Sequence, residues 1–250
     1  MRQTVNQRKI RKAQEELEAE LTRIVLVELQ RVFRDLRSRL RSLDEQRPQV
    51  KLKKVAYFHS DIWGTISSKM SAKLLNALIQ GAITITNLQN SYLMDAIGKS
   101  IEFDSAEFAR QYKELLGQRI TNTIETIRRS VSRRITRWYN TPGSTLKDIT
   151  KELSPMFGAS RAEMIARTEV TYLDTEVQKN IATALGIRKC WVNTMRDQST
   201  CTRKLIGPDG QIYNGCRELQ GKVFTVDQQG PPFHPNCRCN KILILKEKGE

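Results

Sequence analysis

Pro231-Pro232-Phe233-His234-Pro235-Asn236-Cys237-Arg238-Cys239 sets three prolines, a histidine and two cysteines into nine consecutive residues. Each proline fixes φ and removes a backbone donor, so the segment reads as a rigid loop rather than a helix or a strand. Directly after it, the aliphatic stretch Asn240–Leu245 reads as a short strand. Working backwards, Lys222–Thr225, Gln211–Tyr213 and Lys189–Met195 have the same short-strand character. Gly207-Pro208-Asp209-Gly210 is a strong turn, and it predicts a hairpin between Cys201 and Cys216. Several short strands joined by Gly/Pro turns predict a small sheet.

Upstream of Lys189 the periodicity changes from strand-like to helical. A helix is expected from a cap at Ser160, with Glu163 at capping-box spacing, to about Leu185, with Gly186 ending it. A shorter helix from about Thr145 to Met156 is expected, capped by Ser144. Thr141-Pro142-Gly143-Ser144 is the clearest linker in the chain. Before it, residues 13–43 carry Leu17, Leu21, Ile24, Val25, Leu29, Val32, Leu36 and Leu40 on one helical face, with Pro48 closing the region. Residues 61–80 and 82–98 read as two further helices broken at Gly81 and Gly98. Asp104 or Ser105 is expected to cap a helix running to about Tyr139. The fold class expected is therefore α+β: a mostly helical, basic N-terminal region with long helices over residues 1–140, followed by a small α+β domain with a short-stranded sheet over 141–250.

The chain has 250 residues, 39% of them hydrophobic, enough for a sizeable core. No apolar run approaches the roughly 20 residues a membrane span needs. The first residues, Met1-Arg2-Gln3-Thr4-Val5-Asn6, lack the apolar stretch of a signal peptide. A soluble protein with no membrane partner, retained in the cell that makes it, is expected. The net charge is +15, and residues 1–54 alone hold 15 Lys/Arg against 8 Asp/Glu. That excess points to a polyanionic neighbour, nucleic acid first, or to a solvated basic surface. The densest basic run is Arg128-Arg129-Ser130-Val131-Ser132-Arg133-Arg134-Ile135-Thr136-Arg137-Trp138-Tyr139. On a helix Arg129, Arg133 and Arg137 stack at intervals of four, flanked by Arg128 and Arg134. Such a stripe suits phosphates of double-stranded DNA, without sequence preference, or an acidic protein surface. Trp138 or Tyr139 would then stack on a base or pack internally.

All five cysteines lie after residue 189: Cys190, Cys201, Cys216, Cys237 and Cys239. Thiolates and imidazole bind Zn²⁺ tetrahedrally, so Cys201, Cys216, His234, Cys237 and Cys239 are the candidate ligands of a structural zinc. Buried thiols with His234 as a hydrogen-bonding loop residue, and a Cys201–Cys216 disulfide, remain open beside it. Arg167 and Glu169 are two apart on a helix and do not face each other, so each needs its own partner. Arg167 suits a planar fork with a carboxylate, Asp197 being one candidate. A catalytic reading would make Glu169 a general base, perhaps with His234. No phosphate loop, no Ser-His-Asp order and no carboxylate pair in a metal motif supports it, and no catalytic residue is assigned. Trp191 reads as core.

The order of these pieces matters more than any one of them. Arg161-Ala162-Glu163-Met164-Ile165-Ala166-Arg167-Thr168-Glu169-Val170 is followed by Trp191, Asp197 and Cys201, then Cys216, Gly221-Lys222-Val223-Phe224 and the His234–Cys239 loop. Over roughly residues 140–245 this resembles the phage Mu F-type minor head protein family, whose shared domain has an IARTE helix, a W…D…C segment and a terminal HPNCRC. Members often have two cysteines close together after the Asp, whereas here a turn separates Cys201 from Cys216. The resemblance implies a head-morphogenesis protein of a tailed bacteriophage. It would be made in the host cytoplasm and packaged inside the head beside the portal, with scaffold or major capsid protein as further partners and a role in DNA packaging or ejection. The domain also occurs fused to toxins, where a separate extension carries the enzyme. With Glu250 five residues past the last expected strand, no such extension is expected here. A toxin-like enzyme of the same lineage and a basic nucleic-acid-binding protein with a zinc module are the alternatives.

Overall fold

Three long helices dominate the chain because their apolar residues recur at steps of three and four. In a computed structural model, which describes residues 5–45, 60–102, 104–194 and 204–245, they are α1 (Val5–Glu45), α2 (Ser60–Ile97) and α3 (Ser105–Asn140). A short α4 (Leu146–Leu153) runs into a 3-10 turn at Ser154–Phe157, and α5 spans Ala159–Leu185. Five short strands follow: β1 (Lys189–Asn193), β2 (Leu205–Ile206), β3 (Ile212–Tyr213), β4 (Val223–Thr225) and β5 (Asn240–Leu243). Among the described residues no helix is long and apolar enough to cross a membrane. The α+β class read from the sequence is the class observed.

The chain divides into two compact units, each assembled from separate stretches. One takes Leu21–Asn76 and Ala106–Glu163. Its interior is a seam of α1 residues Leu21, Val25, Leu29, Val32, Leu36 and Leu40, with α3 residues Tyr112, Leu116, Ile120, Ile127, Val131 and Ile135, all essentially without solvent contact. Glu28 is also buried there and is ion-paired with Lys73. Phe33 stacks on Phe157 with centroids 5.1 Å apart. The cap of α4 is Thr145 rather than Ser144. Its hydroxyl accepts from the Asp148 N–H while the Asp148 carboxylate accepts from the Thr145 N–H, a complete capping box. The Ser144 hydroxyl instead donates to the Trp138 and Thr141 carbonyls, which fixes the turn after α3.

The other unit takes Met1–Glu20, Ala77–Ser105 and Met164–Glu250. Gly81 does not break a helix. It lies inside α2, and a Cβ there would come within 2.3 Å of Leu17 Cδ2. The glycine therefore records close packing of α2 on α1, not a chain reversal. Similarly, α5 starts at Ala159, so Ser160 is inside it, and the Gly158 carbonyl takes the first N–H groups from Arg161 and Ala162. At its other end Gly186 adopts φ +66°, and the Ile187 N–H bonds back to the Ala182 carbonyl at 2.8 Å, as expected of a glycine-terminated helix.

β1 is the centre of a three-stranded antiparallel sheet in the order β4-β1-β5. Cys190 faces Phe224 on one side and Leu243 on the other; Trp191 pairs Val223 and Ile242. β2 and β3 form the separate hairpin expected from the Gly207–Gly210 turn. Asp209 accepts from the Tyr213 hydroxyl at 2.6 Å, and Lys222 lies 4.3 Å from that ring's centroid. The core under these strands is made of Val192, Leu205, Tyr213, Leu219, Phe224 and Val226, together with Cys190, Cys216, Cys237 and Cys239.

Candidate metal centre

The His234–Cys239 loop is held in place by one face of α5. Arg167, Thr171 and Thr175 are spaced by four and share that face. Arg167 donates to the Asn236 side-chain oxygen, and the Thr168 hydroxyl accepts from the Asn236 N–H at 3.1 Å. The Thr171 hydroxyl donates to the Cys237 carbonyl at 2.8 Å, and the Thr175 hydroxyl donates to the Pro231 carbonyl at 2.5 Å. Asn236 sits at φ +67°, a left-handed conformation that asparagine tolerates better than most residues. From the sheet side, buried Lys241 donates to the Val226 and Gln228 carbonyls, both at 2.9 Å. Burial pushes its ammonium below the usual lysine range. Gly230 leaves room for this lysine, since a Cβ there would sit 2.3 Å from Lys241 Cε.

The carboxylate that takes Arg167 is Glu18, from α1. Nε and Nη2 of Arg167 each lie 2.8 Å from Glu18 Oε1, and Arg238 approaches the same oxygen at 4.0 Å. Asp197, the partner considered from the sequence, lies outside the described residues, as does Cys201. Glu169 is buried and has a partner. Trp191 is half-buried on β1.

Three of the thiols converge. The Sγ atoms of Cys216, Cys237 and Cys239 lie within 4.8 Å of one another, all buried. Cys216 opens a 3-10 turn (Cys216–Leu219), while Cys237 and Cys239 alternate along the loop, so both point inward and Arg238 between them does not. His234 Nε2 lies 3.0 Å from Cys216 Sγ, and His234 Nδ1 lies 2.8 Å from the Pro235 carbonyl oxygen. A carbonyl can only accept, so Nδ1 carries a proton and donates, which turns Nε2 toward the thiols. Both ring nitrogens are thereby committed. Hydrogen bonds from Cys216 and Cys239 hold Cys237 far below the usual thiol range, while Cys216 and Cys239 are pushed up. Contact with Cys216 and then Cys237 raises the imidazole to about 11. Cys190 is separate. Its thiol is buried in the sheet, 3.7 Å from the Phe224 carbonyl oxygen, and burial raises it. All four described cysteines are free thiols.

The arginine stripe is also in place on α3, but it is not a row of free cations. Arg128 and Arg129 both bind Glu125, at 2.6 and 2.9 Å, and Arg134 and Arg137 both reach Glu152 on α4, at 3.2 and 2.9 Å. Arg128 holds the Glu125 carboxyl down at about 2. Arg133 is exposed. Trp138 is buried, and its indole N–H donates to the Thr145 carbonyl at 2.8 Å, so it packs and does not offer a stacking face. Sequence reasoning missed Thr168, Thr171, Thr175, Asn236 and Glu18. The four-residue spacing of Arg167, Thr171 and Thr175 was the one signal available for part of that set.

Residues 125–242 match the family model described as Phage Mu protein F like protein. No curated protein and no solved structure matches the chain.

Proposed function

We propose, from a chain whose residues 125–242 are phage Mu protein F-like, that this protein is a minor head component of a tailed bacteriophage. It acts inside the procapsid beside the portal, with scaffold or major capsid protein as further neighbours. Its role is non-catalytic: the C-terminal segment is a docking module, and Zn²⁺ is the one cofactor the reading includes, in a structural role. The family match over the segment that contains both the α5 cradle and the cysteine loop carries the reading. The two stretches that bear the resemblance, around Arg167 and around Asn236, hold each other by hydrogen bonds. They are therefore parts of one structural device, and no reacting-group geometry is needed to account for them together.

Contact with packaged double-stranded DNA belongs to the same reading through the net charge of +15. The arginine stripe supplies part of that charge, reduced by Glu125 and Glu152. Co-expression with the portal and scaffold proteins of the same phage tests the assignment. The chain is expected in purified procapsids and in portal pull-downs. Capture by DNA but never by portal would replace this reading with that of a free nucleic-acid-binding protein. Nucleotide or nucleic-acid turnover lost on Glu169→Gln would replace it with an enzyme.

A further inference from the structure

We propose that Cys216, Cys237, Cys239 and His234 form a closed four-coordinate zinc site, with His234 ligating through Nε2 and Cys201 outside the set. The assignment stands on donor geometry and does not depend on the head-protein reading. Tetrahedral zinc with Zn–S near 2.3 Å spaces two sulfurs by about 3.8 Å. Three Sγ atoms within 4.8 Å of one another are already at that scale. The fourth donor is beside them, Nε2 being 3.0 Å from Cys216 Sγ. Nε2 is oriented toward the thiols because Nδ1–H donates to the Pro235 carbonyl, the outer hydrogen bond that metal-ligating histidines almost always make. Three thiolates and an imidazole are soft and borderline donors, which select zinc over calcium or magnesium.

The backbone around the donors is anchored independently of any ion. Thr171 fixes the Cys237 carbonyl, Thr168 and Arg167 fix Asn236, and Lys241 fixes the strand-side loop. Four protein donors fill a tetrahedral site, so no position remains for water and the site is structural, not hydrolytic. Cys201 is not needed to complete it. Cys190, buried in the sheet beside Phe224, provides an internal control.

The test uses the full chain, produced with zinc in the medium and purified without chelator. Elemental analysis is expected to give about one zinc per chain. Cys190→Ser and Cys201→Ser are expected to keep it, and His234→Ala and Cys237→Ser to lose it. Should Cys237→Ser not fold, cobalt substitution of the unaltered protein decides. A tetrahedral thiolate-bound cobalt gives intense visible absorption, and an octahedral ion gives a weak spectrum. Less than about 0.2 zinc per chain after reconstitution with excess metal, a weak octahedral cobalt spectrum, or loss of zinc in Cys201→Ser would each overturn the assignment.

Discussion

The thiol loop and the arginine stripe are both conspicuous in the sequence, and folding treats them in opposite ways. The loop's thiols, Cys237 and Cys239, are brought together with Cys216 and buried, with a half-buried His234 beside Cys216. The stripe's charges are distributed over two carboxylates, Glu125 and Glu152, so that four of the five arginines have an acidic partner. Clustering of metal-type donors survives the fold because α5 side chains anchor the loop that carries Cys237 and Cys239. Clustering of like charge does not survive as free charge, because the same helix and the next one supply opposite charge. A run of arginines therefore measures phosphate affinity poorly, while a Cys/His pattern with rigid spacing measures convergence well.

Four experiments would sharpen or break that contrast. The largest effect is expected from metal removal. Zinc held by such a site contributes on the order of 10 kcal/mol of folding free energy, so chelator treatment should lower the thermal midpoint of the sheet-bearing unit sharply. A midpoint unmoved by chelator in zinc-replete protein would remove the loop's special status. Next is Arg167→Ala, which removes the donor that Glu18 and Asn236 share in a largely buried setting. A loss of about 3 kcal/mol is expected in denaturant unfolding, and Arg167→Lys should restore only part of it because it cannot form the fork. A loss under about 0.5 kcal/mol would make the cradle incidental.

Third is Asp174, a buried carboxyl on α5 whose burial pushes it up to about 7, opposed by hydrogen bonds from Gln14 and Gln178. Its folded value lies above its unfolded one. The contribution is thus fully present below about pH 4 and is lost as pH rises through 7. Asp174→Asn should therefore stabilise by about 1–3 kcal/mol at pH 8 and by nearly nothing at pH 4. An equal effect at both pH values would contradict the burial argument. The smallest effect belongs to the stripe. Replacing Arg128, Arg129, Arg133, Arg134 and Arg137 by serine should reduce the salt slope of non-specific duplex binding by about 2–3, not the 4–5 that five free cations would give. A reduction of the full amount would show that DNA displaces the glutamates and that the ion pairs do not limit the stripe.

Much of the C-terminal architecture was legible in the sequence. The strands, the Gly207–Gly210 hairpin, the end of α5 at Gly186 and the order of motifs are written in local turn chemistry and periodicity, which act over a few residues. Gly81 was misread because a glycine that permits helix contact and one that ends a helix look the same without the neighbour, here Leu17. Thr145 and Ser144 are both good caps, and only the reciprocal Asp148 distinguishes them. Glu18 was not legible as Arg167's partner because 149 residues separate them, and no local rule reaches that far. The convergence of Cys216, Cys237 and Cys239, with His234 beside Cys216, was legible as a set of residue types but not as a geometry, which needs the distances.

The central claim is that the IARTE-type helix and the HPNCRC-type loop are one structural device. A double-mutant cycle between Arg167→Ala and Asn236→Ala, read by denaturant unfolding of the metal-replete protein, addresses it most directly. The account predicts a coupling energy of about 1 kcal/mol or more. Losses that simply add, within about 0.3–0.5 kcal/mol, would contradict it.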